Sequence, residues 1–385
     1  KPTLKESFQS KNMSKHIDIA KELFNKNFAY KCYLEVDELE ELKKKARKEG
    51  KVFKSPYRDQ QNNELKKDYV LRLKMPLNGK TNINDVVQGN VSVENSILDD
   101  MVLLRKDQTP TYMLASVVDD YNMNISHIIR GDDHFNNAFR QIQIIKYLNW
   151  PIPKYIHIPL IHGDDGTKLS KRNGAKDVLE FKKLGFEPIV LNNYLLRLGY
   201  SIKDDDIYDF FNEVFPFKLE KINKSPSKFD YKKLSNMNSN FLKKQPVSVL
   251  LKYLCKKFHI YENEVTQRLT YLLPELIKRY TTVNELKYDL LWISNDFKFK
   301  HELEGKKLDN ISDILSILKT CDWNINNIKN EIDHYLKSKN LMMKDLGPIL
   351  RIILTGKSDA PNIFLIIFVL GRNECIKRLT YNFEG

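Results

Sequence analysis

The stretch from Ile125 to Ile161 constrains the fold of this chain more than any other. Ile125-Ser-His-Ile-Ile-Arg130 is a short apolar run that predicts a strand, and Gly131 is expected to break it. Phe135, Ala138, Phe139, Ile142, Ile145 and Leu148 then recur at helical spacing, and Tyr155-Ile-His-Ile-Pro-Leu-Ile161 predicts a further strand. Strand, turn, amphipathic helix and strand in succession point to an open α/β sheet. In such sheets ligands collect at the carboxyl ends of the strands, which is where Arg130, Asp132, Asp133 and His134 fall. An Asp at a helix start commonly caps free amides, so one of Asp132 and Asp133 is expected to be a cap. A guanidinium at the end of a buried strand is costly unless it meets an anion, and its planar fork suits a carboxylate. Arg130 is therefore expected to clamp a substrate carboxylate.

Met101-Val-Leu-Leu-Arg105 predicts another strand, followed by a helix over Thr109 to Asp120 with Thr109 as cap and Pro110 in the first turn. Tyr112 then either packs into the core, as aromatic residues on amphipathic helices usually do, or sits near the same sheet edge. The strand ending at Ile161 delivers the chain to His162-Gly-Asp-Asp-Gly-Thr-Lys-Leu-Ser-Lys-Arg-Asn-Gly174. Asp165-Gly166 favours a hairpin-type turn, and Lys168, Ser170, Lys171 and Arg172 follow it. Ammonium groups there suit the charge of a leaving pyrophosphate. A solvated basic turn is the plain alternative. A calcium loop is a poor fit, because Asp164-Asp165-Gly166 lacks the alternating ligands and distant Glu of an EF-hand.

Elsewhere the chain predicts a helix up to about Leu23 and a capped helix over Asp37 to Lys43. Tyr69 to Lys74 reads as an alternating strand, with further strands at Val86-Val87 and Val91 to Val93 around Gly89-Asn90. Val178 to Tyr200 is helical with a Gly stop. From Phe241 onward the pattern is mostly helical, notably in Val247 to Phe258, Val265 to Tyr280 and Ile311 to Leu318. Ile363 to Leu370 is too short to span a bilayer and is expected to be a buried helix.

The 385 residues allow two or more domains, and four scattered cysteines argue against a secreted disulfide scaffold. No signal peptide is visible, so the expected location is the cytoplasm, with no membrane attachment. The net charge of +13 favours contact with a phosphate backbone, although an excess of Lys and Asn also arises from genome composition.

Taken in order, PTYMLASVVDD, HIIRGDDH, FRQIQIIKYLNWPIP, IHIPLIHGDDGTKLSKRNGA and LNNYLLRLGYS resemble a bacterial glutamyl-tRNA synthetase, a class I aminoacyl-tRNA synthetase. The resemblance extends to QSKNMSKHIDIAKELFNKNFAYKCY, KSPSKFDYKKLSNMN, LGPILRIILTG and VLGRNECIKRL. It implies a partial Rossmann-type α/β catalytic domain with an α+β acceptor-binding insertion and a helical anticodon-binding domain. The boundaries so implied are a catalytic remnant over 1–23, the insertion over 24–109, the second catalytic half over 110–168, the signature loop and stem-contact region over 169–240, and the anticodon domain over 241–385. Lys168, Leu169, Ser170, Lys171 and Arg172 match the family's second signature, whose later lysine, Lys171, contacts ATP. Arg130 and Tyr112 match glutamate-binding positions, Ser116 a further amino-acid contact, and Asp133 and His134 positions near the nucleotide. Lys168 and Lys171 are the expected catalytic pair.

The resemblance departs in two places. The family opens with a strand and a His-Ile-Gly-His type signature, and the first residues here match the region after it, so the chain is expected to be incomplete. Cys32 stands with Leu34 where some members carry a Cys-x-Cys zinc pair, so reduced thiols and no zinc are expected.

The implied reaction is ATP-dependent activation of L-glutamate to the adenylate and transfer to the 3′ end of tRNA(Glu), with Mg²⁺ on the phosphates and a monomer as the working form. A tRNA-binding fragment without catalysis is the alternative. Whether tRNA(Gln) is also charged stays open.

Overall fold

The computed structural model describes residues 6–60, 68–163, 165–169, 176–203, 207–210, 212–294, 297 and 306–381. Two compact units emerge. One comprises Lys1–Leu169, Leu196–Asp206 and Phe215–Phe229, and the other Ser170–Leu195, Ile207–Val214 and Asp230–Gly385.

The first unit holds helices α1 (Met13–Asn25), α2 (Val36–Lys48), α3 (Tyr112–Asn122) and α4 (Phe135–Tyr147). Its strands are β1 (Ala29–Cys32), β2 (Val70–Leu73), β3 (Lys80–Asp85), β4 (Gly89–Glu94), β5 (Val102–Leu104), β6 (His127–Gly131), β7 (Lys154–Ile158), β8 (Ile161–His162) and β9 (Ser227–Lys228). A four-stranded sheet runs β4-β3-β7-β6, with β3, β7 and β6 parallel and β4 antiparallel to β3. A three-stranded antiparallel sheet runs β1-β2-β5. The parallel β6-α4-β7 crossover is the expected α/β unit, and it buries Ala138, Phe139, Ile142 and Ile145 of α4 in one core with Leu114 and Val118 of α3 and Leu103 of β5.

Several local expectations are corrected. Gly131 does not break the strand; it is the last residue of β6, paired with Ile158. The run Tyr155 to Ile161 is not one strand, since β7 stops at Ile158, ahead of Pro159, and β8 resumes at Ile161. Thr109 is not the helix cap. Pro110 pairs with Leu104 and Thr111 N–H donates to Leu103 O, so the helix starts only after Thr111. Residues 70–73 do not alternate, because β2 is the central strand of its sheet and the buried Arg72 finds a carbonyl partner in Asp100 O at 2.9 Å. Val86 and Val87 lie in a turn rather than a strand: the Asp85 carboxylate accepts the amides of Val87 and Gln88, both at 2.9 Å, and closes it. The capped helix expected over Asp37 to Lys43 starts one residue earlier, after the cap Glu35, whose N–H donates to Glu38 at 3.1 Å.

The second unit is helical. It contains α5 (Val178–Leu184), α6 (Pro188–Arg197, whose last residues fall in the first unit), α7 (Tyr231–Lys244), α8 (Val247–Phe258), α9 (Asn263–Leu276), α10 (Leu286–Ile293), α11 (Lys306–Thr320), α12 (Ile325–Ser338), α13 (Met343–Thr355), α14 (Ile363–Leu370) and α15 (Arg372–Tyr381). The helical stretch with a Gly stop expected over Val178 to Tyr200 forms two helices, because Gly185 turns left-handed at φ +89° and Pro188 opens a new helix. α14 is the buried helix its composition predicts: Ile363, Ile366, Ile367 and Leu370 are buried among Leu269, Leu272, Ile353 and Leu354. No described helix is long and apolar enough to cross a membrane.

Candidate active site

The first unit gathers most of the sequence-predicted residues around the carboxyl end of β6, where Arg130 is next to last in the strand and Asp133 and His134 follow it. The start of α3 is tied to β5 by the Thr111 backbone and by Thr111 Oγ1, which donates to Val102 O at 2.7 Å. Tyr112 consequently projects outward and is 49% exposed, so it does not serve the core. Its ring centroid lies 6.2 Å from that of His134. One turn along α3, the Ser116 hydroxyl donates to Tyr112 O at 2.8 Å and accepts from Gln141 Nε2 at 2.8 Å.

Gln141 passes the chain of contacts to Arg130, whose Nη1 donates to Gln141 Oε1 at 2.9 Å. Arg130 Nε donates to His157 Nε2 at 3.0 Å, and the guanidinium lies 5.8 Å from the Tyr155 ring centroid. Burial pushes the Tyr155 hydroxyl up to about 12, so it stays neutral beneath the cation. Arg130 Nη2 is buried and has no hydrogen-bond partner among the described residues. A buried guanidinium nitrogen left unpaired is a costly arrangement that an incoming anion would relieve.

Asp132 and Asp133 were both candidates for a helix cap, and neither acts as one. Asp132–His134 form a 3-10 turn, and neither this turn nor α4 has a side-chain cap. The Asp133 carboxylate instead bonds Lys168 Nζ at 2.6 Å, and that hydrogen bond, with the lysine's charge, holds the Asp133 carboxyl below the usual carboxylate range. The hairpin that carries Lys168 is the expected turn: Gly166 has φ +76°, its amide reaches Gly163 O, and Lys168 pairs with His162 across it. Leu169 N–H donates to Ile161 O at 2.9 Å. Ser170, Lys171 and Arg172 lie outside the described residues.

Beside Tyr112 and His134, through their neighbours Thr111 and Asn137, opens a groove of about 710 Å³. Lys43, Arg47, Lys51, Arg72 and Arg140 line it against one carboxylate, Asp99, which Arg140 holds at 2.7 Å. Its sign suits a polyphosphate backbone.

A class I tRNA synthetase catalytic-domain model, described as specific to E and Q, matches residues 3–236, and an anticodon binding domain model matches residues 245–382. The chain belongs to the class I glutamyl and glutaminyl tRNA synthetase family. Among its relatives, glutamate–tRNA ligase 2 of Zymomonas mobilis is 38% identical over 97% of this chain and 81% of that protein. A glutamate–tRNA ligase of Caulobacter vibrioides is 35% identical over 97% of this chain and 82% of that protein. In fold, this synthetase is similar to a glutamate tRNA ligase from Elizabethkingia meningosepticum solved with its amino acid, with a TM-score of 0.81 at 23% identity over 100% of this chain and 84% of that one.

Sequence reasoning missed three residues of the hydrogen-bonded network around Arg130: Asp85, Gln141 and His157. The available signal was polarity out of place, since Gln141 falls on the apolar face of α4 and His157 in the middle of an apolar strand. Cys32 is buried, with its sulfur 3.4 Å from Ser55 Oγ.

Proposed function

We propose that this chain is a glutamate–tRNA ligase that activates L-glutamate with ATP and transfers it to the 3′ end of tRNA(Glu). The observation that carries the reading is the buried Nη2 of Arg130 at the strand end, which has no hydrogen-bond partner among the described residues and suits a substrate carboxylate. Tyr112 and Ser116 would complete the amino-acid pocket. Asp133 and His134, with the loop Lys168-Leu-Ser-Lys-Arg172, would hold ATP. Lys168 is half exposed and its ion pair with Asp133 is largely solvent-accessible, so it can exchange that partner for phosphate at small cost.

In the reaction the glutamate α-carboxylate attacks the ATP α-phosphorus, pyrophosphate leaves, and the terminal ribose of tRNA then takes the acyl group. In-line positioning and charge neutralisation by Lys168 and Lys171 would supply the catalysis. Mg²⁺ is expected on the nucleotide phosphates. No group of three or more metal-binding side chains is found among the described residues. The basic groove, lined by Lys43, Arg47, Lys51 and Arg72 of the insertion over 24–109 and by Arg140 of α4, would guide the acceptor end, and the helical region over 241–385 would take the anticodon. A cytoplasmic monomer is the working form this reading implies.

Glutamate-dependent ATP–pyrophosphate exchange, with cognate tRNA present, tests the reading. Lys171→Ala should lower the exchange rate by about tenfold or more while leaving the glutamate dependence little changed, because the lost charge acts on the leaving group. Unchanged exchange would remove Lys171 from the mechanism, and salt-sensitive tRNA binding without any exchange in the parent chain would favour a binding function.

A further inference from the structure

Two fully buried residues stand behind Arg130: His157 on β7 and Asp85 at the end of β3. An arginine Nε–H can only donate, so the 3.0 Å contact from Arg130 makes His157 Nε2 the acceptor and leaves the ring proton on Nδ1. Nδ1 lies 2.7 Å from Asp85 Oδ2, which accepts that proton. The carboxylate is itself oriented by backbone amides, those of His157 at 3.0 Å and of Val87 and Gln88 at 2.9 Å. The order of control runs from the β3 turn to the carboxylate, from the carboxylate to the imidazole tautomer, and from the tautomer to the guanidinium. Gln141 fixes Nη1 from the other element, α4, so two of the three guanidinium nitrogens are occupied and only Nη2 is left for a ligand.

We propose that Asp85 and His157 are positioning residues for glutamate binding, which lock the imidazole as the Nδ1–H tautomer so that Nε2 holds Arg130 with its Nη2 free for the substrate carboxylate. The inference deepens the reading of Arg130 as the carboxylate clamp and rests on it. Burial and the neighbouring Arg130 cation both keep His157 below its ordinary pKa, against the pull of Asp85 and Asp132, with the Tyr155 and Phe135 rings as its other close neighbours. The ring is accordingly neutral. A protonated imidazole would offer no acceptor and would set a second cation against the guanidinium.

The test measures equilibrium binding of L-glutamate and, separately, of ATP to the full chain in the presence of cognate tRNA, so that it does not depend on turnover. His157→Ala should weaken glutamate binding about tenfold or more and change ATP binding less than about twofold, the loss expected when one hydrogen bond to a charged group disappears. His157→Gln, which can return an oxygen acceptor near the Nε2 position, should recover most of the loss. Asp85→Asn presents an amide that can donate to Nδ1 and turn Nε2 into a donor facing Arg130, and should weaken glutamate binding to a similar extent. Parallel losses for glutamate and ATP, or equal losses for His157→Ala and His157→Gln, would assign the pair a purely structural role and overturn the proposal. Should His157→Ala fail to fold, unchanged glutamate binding in Asp85→Asn would overturn it equally. The ¹⁵N shifts of His157 in the parent chain separate the two levels: the opposite tautomer defeats the positioning claim, whereas the stated tautomer with Arg130→Ala binding glutamate normally defeats the clamp reading on which it depends.

Discussion

Arg130 shows how one side chain can be read from sequence and still be understood only in three dimensions. A guanidinium at the end of an apolar strand already pointed to an anion, but its partners Gln141 and His157 lie 11 and 27 positions away, and their misplaced polarity marks each as unusual without saying that they meet Arg130. Asp133 was equally visible, yet its role came out differently, because Lys168, 35 residues on, competes successfully with the helix amides for its carboxylate. Chemistry at single residues also separates the cysteines. Burial pushes the Cys375 thiol up to about 12, whereas Cys255 is only partly buried. Since the thiolate is the reactive species, a thiol reagent at pH 8 should modify Cys255 first and Cys375 only when the helical unit unfolds. Stopped-flow absorbance can follow this; a fast phase surviving in Cys255→Ser would contradict the assignment.

Helix ends are the weak points of the helical unit, because their last carbonyls lack partners within the helix. Two buried arginines supply them. Arg378 Nη1 donates to Trp292 O at 2.8 Å and Leu354 O at 2.6 Å, its Nη2 to Ser294 O at 2.8 Å, and Arg268 Nη1 to Ile293 O at 2.6 Å. One side chain therefore closes the ends of α10 and α13, while Glu374 at 2.8 Å balances its charge. Arg378→Ala removes these bonds and leaves the buried Glu374 only the looser pairing with Lys377 at 3.6 Å, so it should cost about 3 kcal/mol in denaturant unfolding. The double change Arg378→Met with Glu374→Gln should recover part of that loss, since no buried charge is left unpaired. Equal stabilities for Arg378→Ala and the parent chain would mean that water serves these carbonyls instead.

For the whole molecule the relevant quantity is the net charge of +13, some of which is concentrated in the groove lined by Lys43, Arg47, Lys51, Arg72 and Arg140. Binding of tRNA should weaken linearly with the logarithm of salt concentration. Lys43→Ala together with Arg47→Ala should lower that slope by about two units, at about one per lost phosphate contact, and weaken binding to different tRNA sequences alike. An unchanged slope in filter binding would put the nucleic acid elsewhere on the surface.

By itself the sequence determined the family, through ordered signatures, and the elements whose periodicity is strong: α4, α8, the buried α14 and the Gly166 hairpin follow directly from spacing and turn chemistry. It also marked Tyr112, Arg130, Asp133 and Lys168 as site residues. Element ends were decided by tertiary contacts instead. Pro110 pairs with Leu104 and delays α3, and the Asp85 carboxylate takes the amides that end β3. Tertiary structure alone brought β3, from an early part of the chain, beside β7, and so placed Asp85 against His157 and His157 against Arg130. The reason is physical: periodicity reports which face of an element is apolar, whereas a buried polar group finds its partner wherever the fold brings a complementary atom within hydrogen-bond distance.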